Sequence, residues 1–218
     1  QPLRKRWSLM ESIIAAFSGL LAVDLGWGIL RQMIPQVILM FAIISVGGWI
    51  YETAYCSLVE HGFSRRGFLF GPSCPIYGVG AVSVWITLGS LDNPVLVFVL
   101  GGLMATILEY STGLILERRF HRTWWDYSMF RYNIKGRVCP QASLVFGAFS
   151  VVTVFFIAPG LLSLFSLVPI DTLNILAGIV GLAYFIDTAA SLIYLTPAGS
   201  ARTALLAQEI RTHIRSRM

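Results

Sequence analysis

Six long apolar stretches, separated by shorter polar or basic connections, define the predicted elements of the chain. They cover residues 11–30, 35–58, 68–91, 94–117, 141–167 and 171–195. A helix needs about 20 mostly apolar residues to cross the hydrocarbon layer of a membrane, and each stretch reaches or nearly reaches that length. The pattern therefore predicts an all-α fold with one integral membrane domain over residues 1–218, a bundle of six transmembrane helices.

Composition supports the membrane class. Hydrophobic residues make up 56% of the chain and charged residues 12%, whereas charged residues reach roughly 25% in soluble domains. The formal net charge is +5, but basic residues beside membrane spans follow from topology and from anionic inner-leaflet lipids. We therefore expect membrane lipids as partners and no nucleic acid.

Basic residues lie on one predicted side of the membrane. They concentrate near the N-terminus, after the second span, in the basic and aromatic connection 118–140, and in the basic tail 196–218. The opposite connections hold only Arg31. The positive-inside rule then predicts a multi-pass protein of the cell inner (plasma) membrane with both termini in the cytoplasm. The first stretch also fits a signal peptide, although no small-x-small cleavage pattern follows it.

The stretch "GPSCPIYGVG", residues 71–80, predicts a broken helix at the cytoplasmic end of the third span. Its candidate structural residues are Gly71, Pro72, Pro75 and Gly78. Backbone without helical hydrogen bonds must be covered by protein or line a polar cavity, and transporters often place binding sites at such breaks. The alternative is that the prolines only begin the helix and the glycines allow close helix packing.

Three acidic residues share a similar predicted depth. Glu52, Glu109 and Asp187 lie two or three turns before the cytoplasmic ends of the second, fourth and sixth spans, which suggests three helical hairpins. A carboxylate in hydrocarbon costs several kcal/mol and normally faces a partner or water, so we expect about two of the three to face a shared polar interior. The alternative is that they pair with arginines and fix the register of the bundle.

The connection 118–140 mixes basic and aromatic residues, as is typical of the headgroup layer. Its motifs "WWDYS" and "NIKGR" contain Asp126, Asn133 and Arg137. These groups could hold a phosphate, a lipid headgroup or a carboxylate.

Three cysteines fall near the predicted cytoplasmic ends of helices, with two histidines nearby. They are Cys56, Cys74 and Cys139, and the histidines are His61 and His121. No CxxC or HxxxH spacing supports a metal site, so small buried thiols are the favoured interpretation. No metal is predicted, and the sequence identifies no cofactor.

Four ordered motifs carry a family resemblance. "RGFLFGPSCPIYGVG", "LEYSTGLILE", "WWDYS" and "NIKGRVCPQAS" together resemble the bacterial integral membrane proteins of the ABC-transporter type IV family, also called CmpB-like. The resemblance extends from about Trp49 to Phe146, and the chain departs from it at Pro140, where an aliphatic residue is expected. It implies a permease. Because the chain has no Walker A glycine loop, an ATPase would be a separate subunit, and a homo-oligomer is the other expected assembly.

The resemblance and the depth of the acids together give the candidate site residues. The predicted substrate-binding residues are Glu52, Tyr77, Glu109, Glu117, Asp126, Asn133, Arg137 and Asp187. The predicted structural residues are Gly71, Pro72, Pro75, Gly78 and Trp125. The family pattern also marks Gly113, Tyr127 and Gly136.

Three functions from different classes remain open on sequence alone. The first is a permease with a cytoplasm-facing polar cavity for a small or cationic solute. The second is a membrane-embedded enzyme acting on a lipid-linked or phosphate-bearing substrate, with Glu109 or Glu117 as general acid or base. The third is an accessory protein that only binds a partner. Whether the protein is an enzyme stays undecided at this stage.

Overall fold

The structure, a computed structural model, describes residues 32–196, and its regular elements are helices. They are α1 (Gln32–Val59), α2 (Pro75–Leu88), α3 (Pro94–Phe120), α4 (Pro140–Ser166) and α5 (Ile170–Leu195). A π-helical turn at Thr153–Ile157 interrupts α4. Over this range the structure contains no β-strand beyond one isolated bridge between Ile134 and Val138. The all-α prediction is therefore confirmed for the described range.

Four of these helices, α1, α3, α4 and α5, are long and apolar enough to cross a membrane. The remaining helix, α2, has 14 residues and a length of about 21 Å, which is shorter than the roughly 30 Å hydrocarbon layer. The predicted count of six transmembrane helices is therefore not supported. The first predicted span, 11–30, and the tail from residue 197 lie outside the described residues.

The predicted third span, 68–91, is wrong in its first part. Residues 67–74, called here the irregular segment, are not helical, and the helix begins only at Pro75. Proline disfavours helical backbone at the residue before it, and Cys74 accordingly adopts an extended conformation with φ −116° and ψ 91°. The predicted break at residues 71–80 is thus limited to its first part, because Gly78 and Gly80 lie inside α2.

Prolines set the starts of three helices. Pro75, Pro94 and Pro140 each occupy the first helical turn, where the missing N–H costs nothing because those donors have no partner within the helix. Pro140, the position where the sequence departs from the family pattern, is therefore the first residue of α4.

Glycines bring neighbouring helices close together. A Cβ added at Gly78 of α2 would lie 2.5 Å from the carbonyl oxygen of Phe41 in α1. One added at Gly102 of α3 would lie 3.0 Å from the carbonyl oxygen of Ser143 in α4. Small residues at such crossings let membrane helices approach backbone to backbone. The backbones of α1 and α2, and those of α3 and α4, therefore approach each other closely.

All lysines and arginines within residues 32–196 lie at one end of the bundle, formed by residues 60–68 and 117–139. We call it the basic end. The opposite connections, 89–93 and 167–169, contain no basic residue. The two connections of the basic end contact each other, because the ring of Phe68 lies 5.9 Å from that of Phe120 and 5.8 Å from that of Trp124.

Candidate binding cavity

The irregular segment is held by the carboxylate of Asp187 on α5. The backbone N–H groups of Phe70 and Gly71 donate to its two oxygens, Oδ1 and Oδ2, at 2.8 and 2.7 Å. Nearby, the backbone N–H of Cys74 donates to the carbonyl of Ser45 at 3.0 Å. Backbone donors that lack helical partners within a membrane must be satisfied by protein, and these contacts satisfy three of them.

A second contact joins the same segment to α5. The hydroxyls of Ser73 and Tyr184 are hydrogen-bonded at 2.7 Å. Tyr184 lies three residues before Asp187, so both side chains project from one face of α5. Two polar residues of a single helix face therefore fix the chain that leads into α2.

A cavity of about 760 Å³ lies among α1, α2, α3, α4 and the basic end. Its polar lining includes Glu52 from α1, Tyr77 from α2, Glu109 from α3 and Tyr127 from the connection 121–139. Its aromatic lining is formed by Tyr51, Phe68, Trp124, Trp125, Phe146 and Phe149. The structure therefore brings two of the three predicted acids together, while Asp187 is not among the lining residues.

Glu109 is the most deeply buried acid of this cavity, with 5% of its surface exposed. The hydroxyl of Tyr127 donates to its Oε1 at 2.8 Å, and its Oε2 is buried without a hydrogen-bond partner within residues 32–196. Burial, reinforced by the nearby Glu109 carboxylate, raises the pKa of Tyr127. The phenol therefore keeps its proton and serves Glu109 as a donor.

The two cavity acids, Glu52 and Glu109, form no ion pair with any residue of the described range. Arg66 lines the cavity, but its guanidinium is paired with Glu60. The backbone carbonyl of Arg66 accepts a hydrogen bond from the indole of Trp49 at 2.9 Å. Arg65 also lines the cavity, and it forms no ion pair within residues 32–196. The part of the chain described here thus leaves two carboxylates in one cavity without a direct ion pair, although two arginines share the lining.

The connection 121–139 is folded by its own side chains. Asp126 accepts hydrogen bonds from the backbone N–H and the hydroxyl of Ser128, at 2.8 and 3.0 Å. Asn133 donates to the carbonyl of Phe130 at 2.7 Å and accepts from the N–H of Gly136 at 2.9 Å. Gly136 has φ +69°, and a Cβ there would lie 2.6 Å from Asp126 Oδ1. Asp126 and Asn133 therefore use their polar atoms to shape this connection.

Glu117 and Arg137 lie outside the cavity. The Nε of Arg137 donates to Glu117 Oε2 at 2.9 Å, and its Nη2 donates to the same oxygen. The guanidinium carbon lies 5.5 Å from the ring centroid of Tyr110. On the other side, the indole of Trp125 donates to the carbonyl of Arg137 at 2.9 Å. The ion pair between Arg137 and Glu117 therefore attaches the connection 121–139 to the last turns of α3.

The family model described as "Putative ABC-transporter type IV" matches residues 39–192, which is well over half of the chain. The chain belongs to this family. The match runs beyond the stretch from Trp49 to Phe146 that carried the resemblance, and it includes most of α5. Comparison with curated proteins and with solved structures found no match.

The match to the ABC-transporter type IV family covers all of the residues that line the cavity. Together with the four apolar helices, it marks the chain as a membrane protein of transporter type.

Sequence reasoning missed two features of this family member. Thr153, in the π-helical turn of α4, lines the cavity, and π turns often occur at functional sites. No residue pattern in the sequence predicts such a turn. Tyr184 was also missed, although its spacing of three residues from Asp187 is a signal that places both on one helix face.

Proposed function

We propose that this protein is a permease subunit whose cavity binds a small organic cation. The observation that carries the proposal is the pair of cavity carboxylates, Glu52 and Glu109, for which residues 32–196 supply no ion-pair partner. Ionised carboxylates away from water are costly unless a cation accompanies them. A cationic solute would pair directly with these carboxylates, which Arg65 and Arg66 of the same lining do not do.

The walls of the cavity also suit an organic cation. Aromatic rings attract a cation over their faces with about 0.5–2 kcal/mol, most strongly where water is excluded. The cavity has six aromatic wall residues besides Tyr77 and Tyr127. Its volume of about 760 Å³ falls within the range of roughly 300–1,000 Å³ in which proteins hold small molecules.

The side of the membrane follows from charge. The basic end carries every lysine and arginine of the described range, and the positive-inside rule makes that end cytoplasmic. The cavity would then open toward the cytoplasm of a bacterium whose inner membrane holds the protein. In this assembly a separate ATPase subunit drives transport, and a homo-oligomer is the alternative.

We favour binding and transport over catalysis because the two candidate catalytic acids are separated. Glu109 lines the cavity, whereas Glu117 is engaged by Arg137 on another face of α3. Glu117 therefore does not reach a substrate in the cavity and cannot act with Glu109 as an acid–base pair. In this proposal Asp187 holds the irregular segment in place and does not contact the solute.

Calorimetry in lipid nanodiscs tests the proposal. The probe is tetraphenylphosphonium, with neutral triphenylphosphine oxide as the uncharged comparison and empty nanodiscs subtracted for partition into lipid. We expect wild type to bind the cation, and E52Q and E109Q each to weaken binding by about 10-fold or more, or about 1.4 kcal/mol. Equal affinity for the neutral compound, or unchanged binding by both variants, would overturn the proposal.

The matched control is D92N, which makes the same acid-to-amide change at an exposed residue of the opposite end. It should bind tetraphenylphosphonium as wild type does. A loss in D92N equal to that in E109Q would indicate a general effect of charge and would count against the cavity.

A further inference from the structure

A second cleft lies at the basic end and is distinct from the cation cavity. It has a volume of about 930 Å³, and its charged and histidine lining consists of Glu117, Arg118, His121, Arg122, Lys135 and Arg137. We infer that this cleft is a binding site for a phosphate-bearing anion. The inference does not depend on the proposed transport of a cation.

Helical spacing separates the two sites. Glu109, Thr112 and Leu116 of α3 line the cavity, at the spacing of one helix face. Tyr110, Leu114 and Glu117 line the cleft, at the spacing of another. Within residues 32–196, only Thr123 lines both. The last turns of α3 therefore present a carboxylate cavity on one face and a basic cleft on another.

The cleft has a large excess of positive charge. Among the described residues that line it, four are lysine or arginine and one is acidic. The single acid, Glu117, is already paired with Arg137. Arg118, Arg122 and Lys135 form no ion pair with any other residue in the range 32–196. Three cations therefore border the cleft without a carboxylate from residues 32–196 to balance them.

Arg137 gives the cleft a fixed anion-binding group. Its side chain is 14% exposed, and its position is set by the two bonds to Glu117. Its Nη1 is buried without a hydrogen-bond partner in the described structure. A planar guanidinium held in place matches the oxygens of a phosphate group. A buried donor without a partner is costly, and a phosphate oxygen would satisfy it.

The position of the cleft allows two sources for the phosphate. The cleft lies at the end of α3, which has 27 residues and a length of about 40 Å, so this end reaches the headgroup layer of the membrane. A phosphate there belongs either to an anionic lipid headgroup or to a soluble phosphate compound. Both present the same group to Arg118, Arg122 and Lys135.

The experiment compares two charge-matched double variants. R118Q/R122Q removes two cleft arginines, and R119Q/R131Q removes two arginines of the basic end that do not line the cleft. Purified, delipidated protein in neutral detergent is titrated with inorganic phosphate and, separately, with micelles containing phosphatidylglycerol, with phosphatidylcholine micelles as the blank. Thermal melting confirms that each variant is folded.

We expect wild type and R119Q/R131Q to bind at least one probe with affinities within about 2-fold of each other, and R118Q/R122Q to lose about 10-fold or more. Binding of phosphatidylglycerol without inorganic phosphate identifies a lipid headgroup. Binding of inorganic phosphate identifies a soluble phosphate compound as a ligand. The inference is overturned if wild type binds neither probe, or if both double variants lose affinity equally, because only the total charge would then matter.

Discussion

The carboxylate of Asp187 accepts the backbone N–H of Gly71 at 2.7 Å, across 116 residues of sequence. A second backbone donor, from Phe70, occupies its other oxygen. The last membrane-spanning helix of the described chain therefore supports the segment that leads into α2. A residue that depth alone marks as a candidate solute ligand has both carboxylate oxygens engaged by backbone.

Replacing this carboxylate should destabilise the protein. Hydrogen bonds to charged groups contribute about 1.5–3 kcal/mol, and unpaired buried donors are costly, so we expect D187A to lose about 3 kcal/mol of unfolding free energy. D187N keeps one acceptor oxygen and should lose less. Unfolding by denaturant in detergent measures both values.

The control for this comparison is D171A, on the same helix at its opposite end, where the side chain is exposed. Because Asp171 lies in the first turn of the helix, where a carboxylate contributes at most about 1 kcal/mol, D171A should change the unfolding free energy by no more than that. A D187A variant as stable as D171A would show that the segment does not depend on the carboxylate.

Gly71 should be coupled energetically to Asp187. A Cβ at Gly71 would lie 2.8 Å from Asp187 Oδ2, so G71A should cost about 1–3 kcal/mol by overpacking. In a D187A background that oxygen is absent and the cost should fall by roughly 1 kcal/mol or more. The measurement is a double-mutant cycle on unfolding free energies.

Gly160 is the control position for this experiment, because a Cβ there would have no neighbouring atom within 4 Å. G160A should cost little and should show no coupling to D187A. If G71A costs the same in both backgrounds, the close approach is not what restricts this position to glycine.

Hydropathy predicted the long helices well. The predicted spans 94–117 and 141–167 correspond to Pro94–Phe120 and Pro140–Ser166. This agreement follows because the length of an apolar stretch and the proline at its start are both visible in the sequence. Hydropathy failed at residues 68–91, since the hydropathy of a residue is the same in a helix and in an irregular segment. Only the backbone consequences of Pro72 and Pro75 distinguish them.

The site was predictable only in part. Depth along the helix axis, which the sequence gives, indicated an interior shared by acids, and Glu52 and Glu109 do line one cavity. Depth gives neither the direction in which a side chain points around the helix axis nor the groups that it contacts. The hydrogen bonds from backbone donors to Asp187 could therefore not be predicted from the sequence. The same limit applies to Asn133, whose partners depend on a positive φ at Gly136.

Neutralising Glu109 should affect binding more than folding. Its carboxylate accepts one hydrogen bond from Tyr127 and has no ion-pair partner in the range 32–196. Glutamine keeps a carbonyl acceptor, so E109Q should stay within about 1 kcal/mol of wild type in unfolding free energy. A loss of about 3 kcal/mol or more would instead point to a buried ion pair. Thermal melting beside the tetraphenylphosphonium titration separates the two effects.

Tyr127 should resist ionisation at alkaline pH. Burial, with help from the Glu109 carboxylate, raises its pKa above the usual value, which is about 10 for tyrosine. A raised pKa in the folded state means that the stabilising contribution is fully present below about pH 10 and is lost as pH rises further, because the unfolded chain ionises first.

Ultraviolet titration of tyrosinate in folded wild type and Y127F measures the ionisation of Tyr127. The two curves should coincide up to about pH 10 and beyond, since the removed phenol does not titrate there. A Y127F curve that already lacks one tyrosinate near pH 10 would show that Tyr127 ionises normally and does not serve as a permanent donor to Glu109.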